Sequence, residues 1–218
     1  MLKTLPHVSI PCAHVKPIPR RTIYRLSVYL RCLHRLKENH IETVSSEALS
    51  RAAGVKPTQL RKDLTHLGQL GKRGLGYQVE DITAKLTAFL GTNRFQPVVL
   101  IGVGNLGTAL LSYRGFEKAG FEVTGAFDAE PSRPRGKDLP VKILPMDQLT
   151  AFIKERQVKM AILSVPGTEA QEVANRLVES GITAILNFAP VILLAPDTVM
   201  VNNVNLAIEL ENLAYFLQ

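Results

Sequence analysis

A glycine-rich segment in the middle of the chain has the residue types needed to bind a phosphate-containing ligand. It follows a short buried-type apolar run, residues 97–101, and precedes a stretch with a helical pattern, residues 108–119. The segment reads Gly102, Val103, Gly104, Asn105, Leu106, Gly107. In such a G-x-G-x-x-G pattern the first glycine permits a tight turn, the second lets a pyrophosphate approach the backbone, and the third lets helix and strand pack closely. The N-terminus of the following helix adds backbone amides and the positive end of its dipole.

An acid at the correct distance supports a dinucleotide as the ligand. Residues 121–128 have the pattern of a second strand, and this strand ends in Asp128, about 20 residues after the glycine segment. A carboxylate at that point accepts hydrogen bonds from the ribose hydroxyls of adenosine and repels a 2′-phosphate, which favours NAD over NADP. The alternative for Asp128 is an exposed turn residue.

The remainder of the back two thirds alternates between strand and helix patterns. Strand-like segments are Val141–Leu144, Val158–Val165, Ile182–Asn187 and Val199–Asn202, and helix-like segments are Met146–Arg156 and Glu169–Glu179. This alternation predicts a Rossmann-type parallel sheet, which binds ligands at the carboxyl ends of its strands. Those ends carry Pro166, Asn187, Ala189 and Pro190. Asn187 has an amide that can orient a nicotinamide carboxamide or a ribose; its alternative role is that of a turn residue.

The front of the chain carries most of its positive charge. Residues 1–91 contain 15 Lys or Arg and 6 Asp or Glu, a net charge of +9, whereas residues 92–218 contain 11 and 13, a net charge of −2. A basic region of this kind is typical of proteins that bind a polyanion, most commonly DNA. A merely solvated basic surface is the alternative.

The basic region has the pattern of a winged helix-turn-helix. A first helix is predicted from Arg20, Ser45 or Ser46 caps a short second helix, and Pro57 begins a third. In the third helix the leucines share one face, and polar and basic residues lie on the other faces, as in a DNA-recognition helix. The candidate DNA-binding residues of this region are Lys56, Thr58, Gln59, Arg61 and Lys62.

A glycine-rich hairpin follows the third helix. Residues 71–77 place two basic residues and an aromatic residue among three glycines. Glycines allow a tight turn and close approach of the backbone to another surface. This pattern predicts a DNA-binding wing, with Lys72, Arg73, Gly74 and Tyr77 as candidate contacts. A plain glycine turn with solvated charges is the alternative.

Several other classes of protein and site are disfavoured. Two cysteines, Cys12 and Cys32, cannot form a four-ligand zinc site, so no metal site is expected, and both are expected to be free thiols in a cytoplasmic protein. No apolar run is long enough to predict a membrane span. All five histidines lie before residue 67, so the predicted nucleotide domain lacks the commonest proton donor for hydride transfer. An enzyme is therefore disfavoured.

Several of these segments together resemble the Rex family of bacterial redox-sensing transcriptional repressors. The resemblance extends over about residues 20–218 and rests on segments 59–64, 71–77, 101–107, 126–128, 170–173 and 185–190. It implies a homodimer whose winged helices bind palindromic operator DNA. It further implies that NADH binding promotes release from DNA, while NAD⁺ competes and favours the DNA-bound form.

The resemblance also assigns roles near the end of the chain. In the family an acid before the last helix joins a polar network with a tyrosine of the first Rossmann helix and a basic residue of the DNA-binding domain. Tyr113 matches the tyrosine, but this chain has Asn205 in place of the acid, and an amide cannot form a full ion pair. Residues 204–217 are apolar on nearly all sides, so this last helix must be buried on several faces. The resemblance implies that it is exchanged between the subunits of the dimer; the alternative is a helix packed on its own chain.

The sequence therefore predicts an α/β protein with four parts. These are a flexible N-terminal arm (residues 1–19), a winged-helix DNA-binding domain (20–91), a Rossmann NAD(H)-binding domain (92–203) and a C-terminal dimerisation helix (204–218). The predicted function is a repressor that responds to the NADH/NAD⁺ ratio. The alternative function is an NAD-dependent oxidoreductase with a basic nucleic-acid-binding appendage.

Overall fold

A computed structural model of the chain describes residues 18–68, 70, 76–133 and 138–217. The chain divides into two compact units, and the boundary between them in the sequence lies between Asn93 and Arg94. The predicted N-terminal arm lies almost entirely outside the described residues.

The described residues of the first unit form four α-helices and a two-stranded sheet. Its elements are α1 (Arg20–Glu38), β1 (Thr43–Val44), α2 (Ser46–Ala52), α3 (Pro57–Leu64), β2 (Tyr77–Gln78) and α4 (Val79–Phe89), with a single 3₁₀ turn, Thr65–Leu67, after α3. The predicted cap is present, because the Ser45 hydroxyl accepts a hydrogen bond from the Ala48 amide at 3.0 Å. Pro57 occupies the first turn of α3, where its missing amide hydrogen costs nothing. The two strands pair antiparallel.

A single hydrophobic core holds these helices together. Leu26, Tyr29 and Leu33 of α1 pack against Leu60 and Leu64 of α3, and side chains of β1, α2 and α4 complete the cluster. The leucine face of α3 is therefore the buried face, as its spacing predicts. The outer face of α3 remains available to a partner.

The second unit is a parallel sheet with helices. Its strands are β3 (Gln96–Ile101), β4 (Phe121–Asp128), β5 (Ile143–Pro145), β6 (Met160–Leu163), β7 (Ala184–Asn187) and β8 (Met200–Asn203). Its helices are α5 (Asn105–Leu111), α6 (Gly115–Lys118), α7 (Leu149–Glu155), preceded by a 3₁₀ turn at Met146–Gln148, α8 (Gly167–Ser180) and α9 (Leu206–Tyr215). The strand order is β5-β4-β3-β6-β7-β8 and every neighbouring pair is parallel. This is the doubly wound order of dinucleotide-binding domains, in which the strand order reverses between β3 and β6: β4 and β5 lie on one side of β3, and β6, β7 and β8 lie on the other.

The helix after the glycine segment differs from its prediction. The pattern of residues 108–119 predicts one helix, but α5 ends at Leu111 and the short α6 begins at Gly115. At the break the ring of Tyr113 lies over Gly115, in the space that a Cβ atom at that position would fill. A continuous helix would remove this contact.

The apolar side chains of the last helix, α9, are largely exposed in the single chain. Its apolar side chains include Leu206, Ile208, Leu210, Leu213 and Tyr215, and they are between 50% and 71% exposed. The alternative prediction of a helix packed on its own chain is therefore wrong for the described residues. No helix among the described residues is long and apolar enough to cross a membrane.

Candidate nucleotide site and nucleic-acid interface

The carboxyl ends of the central strands lie in one row. Phe127 of β4, Ile101 of β3, Leu163 of β6, Asn187 of β7 and Asn203 of β8 are register partners in turn across the sheet. The residues that follow them therefore share one edge of the sheet, and they include the glycine segment, Asp128 and Ser164. Open α/β sheets bind ligands at this edge, at the point between β3 and β6 where the strand order reverses.

Two of the three glycines are required by the fold of the loop itself. Gly102 has φ of +88°, and a Cβ atom there would lie 2.6 Å from the Ser164 carbonyl oxygen. A Cβ atom at Gly107 would overlap the carbonyl oxygen of Gly102. These contacts bring the start of α5 close to the end of β3, as the motif predicts.

Gly104 differs from the other two. It is exposed, and a Cβ atom placed on it would meet no atom of the described residues within 4 Å. The protein alone therefore does not require glycine here. The open space above Gly104 is what a pyrophosphate needs in order to approach the backbone, so the loop fits a dinucleotide.

Ser164, which follows β6, binds the backbone at the start of the glycine segment that follows β3. Its hydroxyl donates to the carbonyl of Gly102 at 2.8 Å and lies 3.2 Å from the carbonyl of Ile101. This hydroxyl ties the end of β6 to the end of β3. The sequence identified Ser164 only as part of a strand end, because pairing across 62 residues has no local signal.

Asp128 lies directly beside the glycine segment. Its Oδ2 atom accepts a hydrogen bond from the Val103 amide at 2.6 Å, and its Oδ1 atom accepts one from the Glu130 amide at 2.8 Å. Asp128 therefore lies beside the glycine segment and also holds the turn that follows β4.

Asn187, the last residue of β7, is fully buried, and its Nδ2 atom donates to the Val191 carbonyl at 2.9 Å and to Asn203 Oδ1 at 2.8 Å. Its Oδ1 atom accepts from the Ala189 amide at 2.9 Å. These bonds fix the neighbouring segment 189–191, and a contact between the Asn187 amide and a ligand stays a prediction.

The segment after Asn187 is anchored at a second point. The Gln171 side chain of α8 makes a reciprocal pair of hydrogen bonds with the backbone of Leu194, at 2.9 and 2.8 Å. A Cβ atom at Gly167 would lie 3.0 Å from a Val191 methyl group and 3.6 Å from the Pro190 ring. The start of α8 at Gly167 therefore lies against Pro190 and Val191. Of the predicted residues here, Pro166 and Pro190 are exposed and Ala189 is buried.

The two remaining predicted ligand residues lie on other elements. Tyr113 is 56% exposed in the break between α5 and α6, with its ring edge against Phe116. Asn205 caps α9, because its Oδ1 atom accepts from the Ala207 amide at 3.0 Å and from the Ile208 amide at 3.4 Å. Asparagine is a favoured N-cap residue, because its side-chain oxygen satisfies amides that the first turn of a helix leaves unpaired.

The outer face of α3 is polar and basic. Lys56, at the N-cap position, and Thr58, Arg61 and Lys62 are all exposed. Arg61 Nη1 lies 3.0 Å from the Ser46 hydroxyl and 3.4 Å from Glu47 Oε1. These contacts tie the recognition-type helix to the start of α2, and an exposed pair of this kind stabilises little.

The inner face of α3 carries a buried carboxylate, that of Asp63. Asp63 accepts two hydrogen bonds from the Arg25 guanidinium, at 2.6 and 2.8 Å, one from the Tyr29 hydroxyl at 2.8 Å, and one from Gln59 at 2.8 Å. Burial alone raises the pKa of Asp63, but the hydrogen bonds from Arg25, Tyr29 and Gln59 outweigh it and leave the pKa below its ordinary value. Sequence reasoning did not find Asp63, since its partner on α1 is 38 residues away.

The base of the predicted wing is described, but its tip is not. Gly76 has φ of +77°, and a Cβ atom there would lie 2.5 Å from the Val44 carbonyl, so only glycine fits where β2 meets β1. Tyr77 is half-buried and packs against the hydrophobic core, and burial raises its pKa. Lys72, Arg73 and Gly74 lie outside the described residues.

Two family models match the chain. Residues 17–65 match the family described as putative DNA-binding protein N-terminus, and residues 93–191 match the CoA binding domain. Each matched range contains elements of one of the two units.

Proteins of known name match nearly the whole chain. The redox-sensing transcriptional repressor Rex of Syntrophobacter fumaroxidans is 45% identical over 202 residues, which are 92% of this chain and 96% of that protein. The protein of the same name from Streptomyces coelicolor is 42% identical over 205 residues, 94% of this chain and 80% of that protein.

Solved structures of RSP are also similar to nearly the whole chain. RSP in complex with β-NAD⁺ and operator DNA is 38% identical with a TM-score of 0.85, and the match covers 93% of each chain. RSP in complex with β-NADH is 37% identical with a TM-score of 0.80, covering 92% of this chain and 94% of that one.

Proposed function

Since the chain belongs to the Rex family of redox-sensing transcriptional repressors, we propose that it binds operator DNA when NADH is scarce and releases it on binding NADH. One observation carries this proposal. A single chain combines a helix-turn-helix unit that exposes basic residues on α3 with a parallel sheet that carries a dinucleotide-type glycine loop.

The nucleotide binds at the carboxyl edge of the sheet. The backbone of residues 102–107 receives the pyrophosphate over Gly104, and the Asp128 carboxylate accepts the adenosine ribose hydroxyls. Pro166, Ala189 and Pro190 shape the nicotinamide end, and Asn187 holds that segment in place through its buried amide. Tyr113 and Asn205 belong to the response to the nucleotide. NADH and NAD⁺ act as regulatory ligands here and undergo no reaction.

The DNA is bound by the first unit. In a helix-turn-helix the second helix of the motif enters the major groove, and its N-terminal residues contact the bases. In this chain the contacts are made by Lys56, Thr58 and Gln59 at the start of α3 and by Arg61 and Lys62 in its last turn. The wing residues Lys72, Arg73 and Gly74 grip the backbone or the minor groove, and Tyr77 supports the base of the wing.

The repressor is a homodimer that recognises a palindromic operator. The exposed apolar surface of α9 is what a second copy of the chain would cover, because soluble proteins rarely leave such surface in water. Its start is capped by Asn205 after the short segment 202–204, so the helix can pack on a neighbouring subunit. A repressor of bacterial genes works in the cytoplasm, which is the compartment we propose.

The alternative of an NAD-dependent oxidoreductase is not favoured. The relatives that cover nearly the whole chain are repressors. The second unit also contains no histidine in its sequence, from residue 94 to the end.

Selection of DNA from a random duplex pool tests the proposal directly. We expect the full chain to enrich a palindrome with half-sites about one helical turn apart or a multiple of it. Binding should weaken steeply as salt rises, because phosphate contacts release counterions. Enrichment of no sequence, with equal affinity for all duplexes, would overturn the proposal.

A further inference from the structure

Asp63 is a buried carboxylate in the last turn of α3, the helix proposed to read DNA. Its side chain is 3% exposed. Oδ1 accepts from Arg25 Nη2 and Gln59 Nε2, and Oδ2 accepts from Arg25 Nε and the Tyr29 hydroxyl. Four donors therefore occupy all four lone pairs of an ionised carboxylate. Arg25 of α1 donates two of these hydrogen bonds and stabilises the ionised form of the Asp63 carboxylate. In that form the carboxylate only accepts hydrogen bonds.

This carboxylate determines which way the Gln59 amide faces. An ionised carboxylate accepts hydrogen bonds only, so the end of the amide that meets Asp63 must be the nitrogen, Nε2, at 2.8 Å. The oxygen, Oε1, is consequently the end that points away from Asp63. Within the described residues every buried side-chain nitrogen or oxygen has a hydrogen-bond partner. Oε1 of Gln59 has no such partner and is therefore not buried.

Gln59 lies where a base-reading residue is expected. It is in the first turn of α3, beside exposed Thr58 and one turn before Lys62 and Asp63. Residues in this part of a recognition helix contact base edges in the major groove. A free glutamine can turn its amide over and so match either a donor or an acceptor on a base, but Gln59 cannot turn without setting its oxygen against Asp63.

We infer that Asp63 is a positioning residue for operator recognition, which fixes Gln59 with its carbonyl oxygen outward so that it reads a base amino group. This inference rests on the proposed function. In the major groove the amino donors are N6 of adenine and N4 of cytosine, whereas thymine and guanine present O4 and O6 acceptors. Gln59 therefore selects adenine or cytosine over thymine or guanine at one base of each half-site, by about 5- to 100-fold in affinity.

Binding to a set of operator duplexes tests this inference. Starting from the duplex selected by the unaltered full chain, each base pair of a half-site is replaced in turn, and affinities are measured by fluorescence anisotropy at one salt concentration. We expect one position at which an amino base is required. Gln59→Ala should abolish the preference at that position alone, and Asp63→Asn should abolish it at the same position. Asp81→Asn, which removes an exposed carboxylate of α4, should change no preference.

Agreement between the two variants at one base position is a result that general destabilisation would not produce. If Asp63→Asn or Gln59→Ala retained the preference at every position, the inference would be overturned while the proposed function stood. If the unaltered chain bound no specific duplex, the proposed function itself would fail.

A measurement on the unaltered protein covers the case in which Asp63→Asn does not fold. In a ¹⁵N-labelled full chain, one side-chain N–H of Gln59 should resonate downfield and exchange slowly, because it donates to a carboxylate. Gln78, an exposed glutamine of the same unit, provides the reference. Gln59 side-chain protons that exchange as fast as those of Gln78 would overturn the inference.

Discussion

At the residue scale, we propose that Asp128 governs which nucleotide the sheet can accept. Its carboxylate lies 2.6 Å from the Val103 amide, at the mouth of the glycine loop. A 2′-phosphate placed beside it would be repelled, although Arg133 and Arg135 follow closely in the sequence and oppose this effect. We expect NADPH to bind at least about tenfold more weakly than NADH, which is about 1.4 kcal/mol. Titration of the purified protein with both nucleotides measures this.

The variant Asp128→Ser provides the control for that prediction. It retains a hydroxyl for the ribose and removes the charge, so the preference for NADH should shrink. Equal or tighter binding of NADPH by the unaltered protein would refute the assignment of NAD.

Arg61 is the exposed arginine of α3, and its loss should weaken operator binding. Its contacts with Ser46 and Glu47 are at the surface and are easily exchanged for a base or a phosphate. We expect Arg61→Ala to cost about 1–3 kcal/mol in operator affinity and to relax specificity. Adding Arg73→Ala, on the predicted wing, should increase the loss.

The matched control for Arg61 is Arg35→Ala, which removes the same charge from the last turn of α1. Salt-matched anisotropy titrations compare the three proteins. Unchanged operator affinity in the Arg61→Ala, Arg73→Ala double variant would show that this surface does not bind DNA.

The Asp63 cluster makes part of the stability of the first unit dependent on pH. Because the pKa of Asp63 is lower in the folded protein than its ordinary value of about 3.9, its contribution is complete above that value and is lost as pH falls through the folded pKa. At pH 7, Asp63→Asn should lower the free energy of unfolding by about 2–4 kcal/mol, since it leaves Arg25 without its carboxylate. Urea unfolding at pH 7 and pH 3 should show a smaller difference at pH 3; an equal difference at both would contradict the account.

At the element scale, periodicity predicted most of the helices and strands but not their ends. The strand predicted over Val158–Val165 is observed over Met160–Leu163, because the chain leaves the sheet at Ser164 to enter α8. The break after Leu111 was not predicted, since apolar spacing continues through it; in the structure the Tyr113 ring lies against Gly115 at this break. The hydrogen bond between Asn187 and Asn203 was not predicted either, because Asn203 lies on another strand, which local sequence does not reveal.

Helix α9 is the element on which the proposed dimer depends. Deleting residues 204–218 should leave a monomer or an aggregate. Operator binding should then be abolished, because one protomer alone contacts only one half-site. Light scattering measures the mass, and deleting only residues 217 and 218 provides the control. A truncated protein that stays dimeric and still releases DNA on addition of NADH would refute this role for α9.

At the scale of the whole molecule, the sequence was most informative where function depends on local pattern. The glycine spacing, Asp128 and the uneven charge together indicated a DNA-binding unit joined to a dinucleotide unit, and the fold and the relatives confirm that combination. What local pattern could not supply is the set of long-range contacts, such as Arg25 with Asp63 and Ser164 with Gly102, that hold these sites in shape.

The most direct test of the account is the release of operator DNA by NADH. A fluorescent duplex carrying the selected operator is bound to the full chain at constant salt, and its anisotropy is followed as NADH, NAD⁺ or NADPH is added. The account predicts that NADH lowers the anisotropy to that of free DNA over the range in which it binds the protein, whereas NAD⁺ and NADPH at the same concentrations leave the complex intact. An anisotropy that remains high while NADH saturates the protein would contradict it.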